Sequence, residues 1–334
     1  MAKKQILIID NSGLSFTGDD INGPELRGTE TSLILLSEEF AKKNLNVFFA
    51  TKTNQEKKIN GVYYINENNI DKEKTYDLAI AVSNANLFDK IKSLKKAVFS
   101  VSNQSLEKFL RKRQFISTYT HKPVIVTLCD YQLKKRSFLT SPFGKLKIPI
   151  TVDRQFIDEE VDINFIPTKK AIYNIRSNRN LDSLLDIWTG LIYPKDKNLE
   201  FHITPNLIQY SDKLKNYNIF LRTIGSRREM IDELKHSRVL LYLGHKSDIF
   251  TLTAEEAIKL CVPVITYGIG SLSERVSHGN NGFIAKNSSE FAKYTLDIMN
   301  DDSILQELKA KMFKKRSELT WSVIADTWIK NFLK

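Results

Sequence analysis

Asp248 and Glu256 stand eight residues apart in the stretch Ser247-Asp248-Ile249-Phe250-Thr251-Leu252-Thr253-Ala254-Glu255-Glu256. The first falls on a loop after the apolar run Leu240-Leu241-Tyr242-Leu243. The second falls in the first turns of a helix that Thr251 or Thr253 can N-cap. Two carboxylates of unequal reach beside a helix N-terminus can accept hydrogen bonds from sugar or ribose hydroxyls. The helix start itself offers backbone N–H groups to a diphosphate. Taken singly, Glu256 also suits a helix-dipole carboxylate, and Asp248 a turn. Arg176 and Arg179 follow the apolar run Ala171-Ile172-Tyr173-Asn174-Ile175 and open a helix. Two guanidinium groups at a strand end suit phosphate oxygens, or a solvated surface. Gly268-Ile269-Gly270-Ser271 permits close approach of backbone to a ligand, or makes a plain turn. Gly28-Thr29-Glu30, at the first helix, allows the same pair of readings.

These groups need strands to stand on. Residues 5–9, 47–50, 61–65, 76–82, 97–101 and 123–127 are β-branched or apolar runs that read as strands. An amphipathic helix opens at Thr29-Glu30-Thr31-Ser32 and closes near Asn44. Residues 137–153 look like loop, with Pro142, Gly144 and Pro149. The second half predicts strands near 171–175, 199–204, 218–221, 239–243 and 262–266. Helices fit at 179–190, 227–236, 253–260, 288–299 and 302–315. Strands alternating with helices predict an α/β fold with parallel sheets covered on both faces. The pattern breaks near residue 165, giving two doubly wound, Rossmann-like domains with a cleft between them. Ligands of such sheets bind at the carboxyl ends of the strands, where the residues above fall.

A chain of 334 residues has the length of two domains, and 42% hydrophobic with 27% charged residues is a soluble globular composition. The 50 basic residues against 39 acidic ones give +11, which favours an anionic partner or reflects a lysine-rich surface. Zinc-finger spacing and RNP-type aromatic strands are absent, so nucleic acid is not the expected partner. No apolar run reaches membrane-span length, and Gln5-Ile6-Leu7-Ile8-Ile9 reads as a first strand rather than a signal sequence. Cys129 and Cys261 lie beside strand-like runs and read as buried reduced thiols, which points to the cytoplasm. Leu106-Glu107-Lys108-Phe109-Leu110-Arg111-Lys112-Arg113 is basic with apolar residues at helical spacing. It suits a solvated helix, an anionic acceptor, or the inner face of a membrane.

Order and spacing then match a family. The stretch Ser247–Ala257, followed by Cys261-Val262-Pro263-Val264-Ile265, resembles the E-x7-E segment of the retaining family-4 glycosyltransferases, which have the GT-B fold. Gly270-Ser271-Leu272-Ser273-Glu274 and His278-Gly279-Asn280-Asn281-Gly282-Phe283 are similar to its GG-x-x-E and x-G-x-x-G segments. Ile175-Arg176-Ser177-Asn178-Arg179-Asn180-Leu181 resembles its phosphate-binding strand-to-helix entry. Gly28-Thr29-Glu30 resembles its glycine-rich acceptor loop. Ile148–Phe156 resembles the segment that closes its first domain.

The resemblance implies a nucleotide-sugar donor as co-substrate, a glycan or lipid-linked acceptor, and neither a cofactor nor a metal. It places the ribose on Glu256 and sugar hydroxyls on Asp248. The leaving diphosphate falls to Arg176 and Arg179. Donor contacts are implied for Phe250, Thr251, Leu252, Ser177 and Gly225, with Gly28, Ser102 and Asn103 from the first domain. Residues 1–165 would be the acceptor side and 166–316 the donor side. A C-terminal helix over 317–334, with Trp321, Ile324, Trp328 and Phe332 at helical spacing, would cross back to the first domain. Cell-surface polysaccharide or glycolipid synthesis in the cytoplasm, at the inner membrane face, is the expected setting. Three departures stand out. Asp248 replaces the usual Glu, Ile249-Phe250-Thr251 replaces G-F-G, and Ser102-Asn103-Gln104 occupies the place of an active-site histidine. A non-catalytic nucleotide- or glycan-binding protein is therefore the second reading. A sugar-nucleotide epimerase would show further acid/base carboxylates and histidines in the first domain.

Overall fold

The computed structural model describes residues 3–10, 12–23, 26–176, 178–204 and 212–334. The chain divides into two units, Met1–Thr151 with Leu319–Lys334, and Val152–Glu318. The sequence places its boundary near 165, but Val152 and Phe156 are already buried in the core of the second unit.

Unit one is built on eight strands: β1 (Gln5–Ile9), β2 (Asn46–Thr51), β3 (Lys57–Ile59), β4 (Val62–Asn66), β5 (Thr75–Val82), β6 (Lys92–Phe99), β7 (Val124–Thr127) and β8 (Lys145–Lys147). Their order is β3-β4-β2-β1-β5-β6-β7-β8. All neighbours are parallel except β3, which runs antiparallel to β4. Central β1 has Ile6, Leu7 and Ile8 fully buried, which is why it reads as an unbroken apolar run. β6 starts at Lys92 rather than near 97. Its first half pairs only with β5, and β7 joins from Ala97, so the exposed half tolerates lysines. β8 lies within the stretch expected to be loop. It is an edge strand of two lysines around one leucine, a composition that protects a sheet edge and hides the strand from a hydrophobicity reading.

Unit two has β9 (Lys170–Tyr173), β10 (Glu200–Ile203), β11 (Ile219–Leu221), β12 (Val239–Leu241), β13 (Val264–Thr266) and β14 (Gly282–Ile284), in the order β11-β10-β9-β12-β13-β14. All are parallel. Helices stand at Leu181–Ile187, Arg227–Lys235, Leu252–Lys259, Ser288–Asn300 and Asp302–Lys315, close to the expected spans. β14 was not legible as a strand. It opens on Gly282, where a Cβ would sit 1.9 Å from the Val264 carbonyl oxygen, so only glycine lets β14 pair with β13. Neither cysteine forms a disulfide, and burial pushes the Cys261 thiol up to about 11.

Because β9, β12 and β13 are adjacent and parallel, their carboxyl ends deliver the segments 174–180, 242–251 and 267–271 to one edge of the second sheet. A bridge between Gly244 and Ile269 ties two of these loops together.

Candidate donor-binding site

At that edge the side chains of three loops meet. Arg179 comes from the loop after β9. Its Nη1 lies 2.7 Å from His245 Nδ1 and its Nε 3.6 Å from Asp248 Oδ1, an ion pair that is mostly buried. The Ser247 amide also donates to His245 Nδ1, at 3.1 Å. Two donors on one ring nitrogen require its lone pair, so the imidazole carries its proton on Nε2. The fully buried Tyr242 donates its phenol to Asp248 Oδ2. Burial first, then Asp248, pushes that phenol up, so it stays a donor. Asn180 donates to the Gly244 carbonyl at 2.6 Å.

Arg176 is exposed, three residues before Arg179. Its carbonyl is held by Tyr173 Oη at 2.8 Å and by the Arg179 amide at 3.1 Å, which fixes the loop while leaving its guanidinium facing solvent. Ser177 lies outside the described residues.

Gly270 makes the loop arrangement possible. Its φ is +72°, and a Cβ there would lie 2.5 Å from the His245 carbonyl oxygen and 2.8 Å from that of Asp248. The next residue's amide, Ser271 N–H, donates to Asp248 O at 3.0 Å. The glycine loop therefore braces the acidic loop from beneath.

Thr251 is the N-cap of helix Leu252–Lys259, but its hydroxyl makes no cap bond and instead meets Ser271 Oγ at 3.1 Å. The first turn of this helix is thus uncapped by any described side chain, and its amides keep their affinity for an anion. Phe250 is half-buried with the Arg275 guanidinium 3.8 Å above its ring, and Arg275 in turn pairs with buried Glu255 at 2.7 Å. Glu255 is engaged by Arg275 and by Lys259, 3.5 Å away, which leaves the adjacent Glu256 as the distinct carboxylate.

Glu256 is partly exposed as a residue, but its carboxyl is enclosed, and burial pushes it up to about 7. Arg227 opposes that shift and Asp153 adds to it. These two are themselves paired at 2.7 Å. Gly225 stands one residue before the Ser226 N-cap, and Glu229 Oε2 already accepts its amide at 2.8 Å. Among the described residues no group of three or more His, Cys, Asp or Glu is placed to hold a metal ion.

The remaining site candidates lie in unit one. Gly28 is the first residue of helix Gly28–Lys42, with its carbonyl held by Ser32 Oγ at 2.6 Å. Ser102 and Asn103 follow β6, in a loop fastened from below. Gln132 donates to the carbonyls of Ser100, at 2.8 Å, and of Ser102, at 3.2 Å. Buried Arg136 holds Ser100 Oγ and Gln104 Oε1 at 2.9 and 3.1 Å, and desolvation lowers its pKa to about 10. Asn103 Oδ1 is buried without a hydrogen-bond partner among the described residues. His121 is elsewhere, paired with Asp89 at 2.8 Å.

His245, Tyr242 and Asn180 were not singled out in the sequence. In the sequence His245 is one residue of the loop between the apolar run Leu240-Leu241-Tyr242-Leu243 and Asp248, and Tyr242 is part of that run.

Two parallel-sheet domains of this build are the GT-B fold of glycosyltransferases. Residues 174–318 match the family model described as glycosyl transferases group 1. That match lies within the second unit and agrees with the resemblance read from the sequence. The S. aureus TarM structure, a mutant in complex with fondaparinux, alpha-GlcNAc-glycerol and UDP, is similar at a TM-score of 0.61 and 17% identity. That likeness covers 77% of this chain and 55% of TarM, so the chain spans about half of TarM's length. Sucrose-phosphate synthase from Thermosynechococcus elongatus aligns over 99% of this chain and 98% of its own, with a TM-score of 0.72 and 13% identity. Anabaena HepE, solved with UDP and glucose, aligns over 98% and 99%, with a TM-score of 0.68 and 13% identity. No curated protein matches the sequence. The family match supports a transferase.

Proposed function

We propose that this protein is a retaining glycosyltransferase. It would move a hexose from a nucleoside-diphosphate donor to a hydroxyl of a glycan or lipid-linked acceptor, in cell-surface polysaccharide or glycolipid synthesis. The observation that carries this reading is Arg179, held between His245 and Asp248 on the edge that also presents the uncapped start of helix Leu252–Lys259. A cation and a row of helix amides at one place suit a diphosphate, and Arg176 adds a second, solvent-facing cation.

In the reaction, the bond from the anomeric carbon to the diphosphate oxygen breaks and the leaving oxygen gains charge. Arg179, Arg176 and the amides of Phe250, Thr251 and Leu252 stabilise that charge, the role a bound divalent cation fills elsewhere. Glu256 takes the ribose hydroxyls, and Asp248 a hydroxyl of the sugar. The resemblance also assigns Ser177 and Gly225 to the donor. From the first unit, the resemblance assigns Ser102 and Asn103 to the donor sugar and the Gly28 segment to the acceptor. The acceptor hydroxyl attacks from the face the leaving group vacates and passes its proton to the departing diphosphate oxygen, which retains configuration and needs no side-chain nucleophile.

A nucleotide- or glycan-binding protein without activity is the second reading. Its support is the crowding of the loop by Ile249 and Thr251, both buried, where the family has glycine. UDP is bound in the TarM and HepE structures, so UDP-sugars are the first donors to assay, followed by GDP- and ADP-sugars. Donor hydrolysis or transfer that Arg179→Ala abolishes supports the enzyme. Nucleotide binding lost in Glu256→Ala, with no turnover of any donor, supports the binding protein. If neither donor nor nucleotide binds, both readings fail.

A further inference from the structure

Part of the first unit turns its apolar side outward. Helix Leu106–Arg111 packs beside helix Gln114–His121 and against the turn Phe138–Thr140. Facing inward are Phe109, Gln114, Ser117 and Thr118, all buried. Facing outward are Leu106, Leu110, Phe115, Ile116, Phe138 and Leu139, with Ile116 and Phe138 exposed to 73% and 72%. Two of the inward residues on helix Gln114–His121 are hydroxyls and one is an amide, while Phe115 and Ile116 meet water. Burial of apolar surface within the unit cannot explain that choice. Single exposed apolar residues are ordinary, but a run of them over three adjoining elements marks a surface that something covers.

The surrounding charge narrows what covers it. From Ser105 to Lys122 there are five lysines and arginines (Lys108, Arg111, Lys112, Arg113 and Lys122) and one carboxylate, Glu107. Lys134 and Lys135 are exposed on helix Asp130–Lys135, just before the turn Phe138–Thr140, while the carboxylate of Asp89 is taken up by Ser117 and His121. We infer that this face docks on an anionic lipid bilayer, with Ile116 and Phe138 entering the acyl boundary and the basic rim meeting headgroup phosphates. A second copy of the chain is disfavoured, because a two-fold contact would set the Arg111–Arg113 cluster against itself. No helix among the described residues is long and apolar enough to cross a membrane, so the contact is peripheral. The surface lies wholly within the first unit, and the inference does not depend on the donor-site reading.

Sedimentation of the full chain with vesicles decides it. The wild type should pellet with phosphatidylcholine vesicles containing phosphatidylglycerol, stay in solution with phosphatidylcholine alone, and be released by added salt. Ile116→Glu/Phe138→Glu and Arg111→Glu/Lys112→Glu should each weaken binding by about tenfold or more, with unchanged circular dichroism. Failure of the wild type to pellet with anionic vesicles overturns the inference, and so does binding equally to both lipid mixtures. Those two outcomes need no variant to fold. A wild-type dimer that Ile116→Glu turns into monomers in analytical ultracentrifugation also overturns it, in favour of self-association.

Discussion

Glu256 holds its proton more tightly in the folded chain than its ordinary value of 4.5 allows, because its carboxyl is enclosed and pushed up to about 7. The sign of the linkage follows. The stability this group contributes is full below 4.5 and is lost as pH rises through 7, where an enclosed carboxylate must ionise. Urea unfolding of Glu256→Gln should therefore show a flatter pH dependence than the wild type across that window. Equal slopes would mean the carboxyl is not enclosed. A ribose hydroxyl donates more strongly to the ionised form, so nucleotide binding near neutral pH should release a proton in the wild type and none in the variant. Titration calorimetry in buffers of different ionisation enthalpy measures it directly. Tyr242 offers a second test at this scale. Tyr242→Phe leaves Asp248 without its phenol donor, beside Arg179, and should lower stability by about 1.5–3 kcal/mol. Unchanged unfolding would remove the phenol from the network. Asp248, Arg179 and Glu256 were visible in the sequence because charged groups at strand ends and helix starts invite a chemical reading. Their partners were not. His245 gains meaning only when β9 and β12 stand side by side, a pairing that 66 residues of separation hide.

Loops and strands carry the next level. Gly270 supports the acidic loop through two backbone contacts that no side chain could share. Gly270→Ala must leave a φ of +72° or displace His245 and Asp248. The conformational part alone costs about 1–2 kcal/mol, and displacement separates Arg179 from its partners. The expected result is a lower melting temperature together with at least about tenfold weaker nucleotide binding, which corresponds to about 1.4 kcal/mol. A variant that melts lower but binds normally would show that the brace serves the fold and not the site. Most elements were legible because their burial is two-sided: β1, β5, β9 and β12 are apolar runs, and the helices between them keep a helical period. The exceptions share a cause. β3 and β8 are lysine-bearing edge strands, β6 begins where only one neighbour pairs with it, and β14 opens on a glycine set by backbone contact. Hydropathy records what a strand buries, and these strands bury little or are shaped by something other than burial. Thr251 shows the same limit at a helix start. Its position is that of an N-cap, yet its hydroxyl is committed to Ser271 across 20 residues.

At the scale of the whole chain, the second unit is an insertion between Thr151 and Leu319 of the first. The last helix, Trp321–Phe332, lies against helix Gly28–Lys42. Trp328 sits 6.3 Å from Phe99 at the end of β6 and stacks on Phe332 at 5.2 Å, while Lys43 pairs with Asp326 at 2.7 Å. Trp321, Ile324, Ala325, Trp328 and Phe332 are all buried. At about 1.5–3 kcal/mol for each large apolar side chain, the helix contributes on the order of 10 kcal/mol of burial, as an upper bound. That is comparable to the whole stability of an ordinary domain. A chain ending at Glu318 should therefore lose the cooperative unfolding of the first unit while the second unit keeps its own core. Calorimetry should show one transition where the full chain shows two, or one smaller transition where the full chain melts as a single unit. Limited proteolysis should then digest residues 1–151 and leave a resistant fragment from about residue 152. Because Glu256, Arg179 and Asp248 all stand in the surviving unit, nucleotide affinity measured on the truncated chain should fall much less than first-unit stability. Loss of both together would mean that the second unit does not fold on its own.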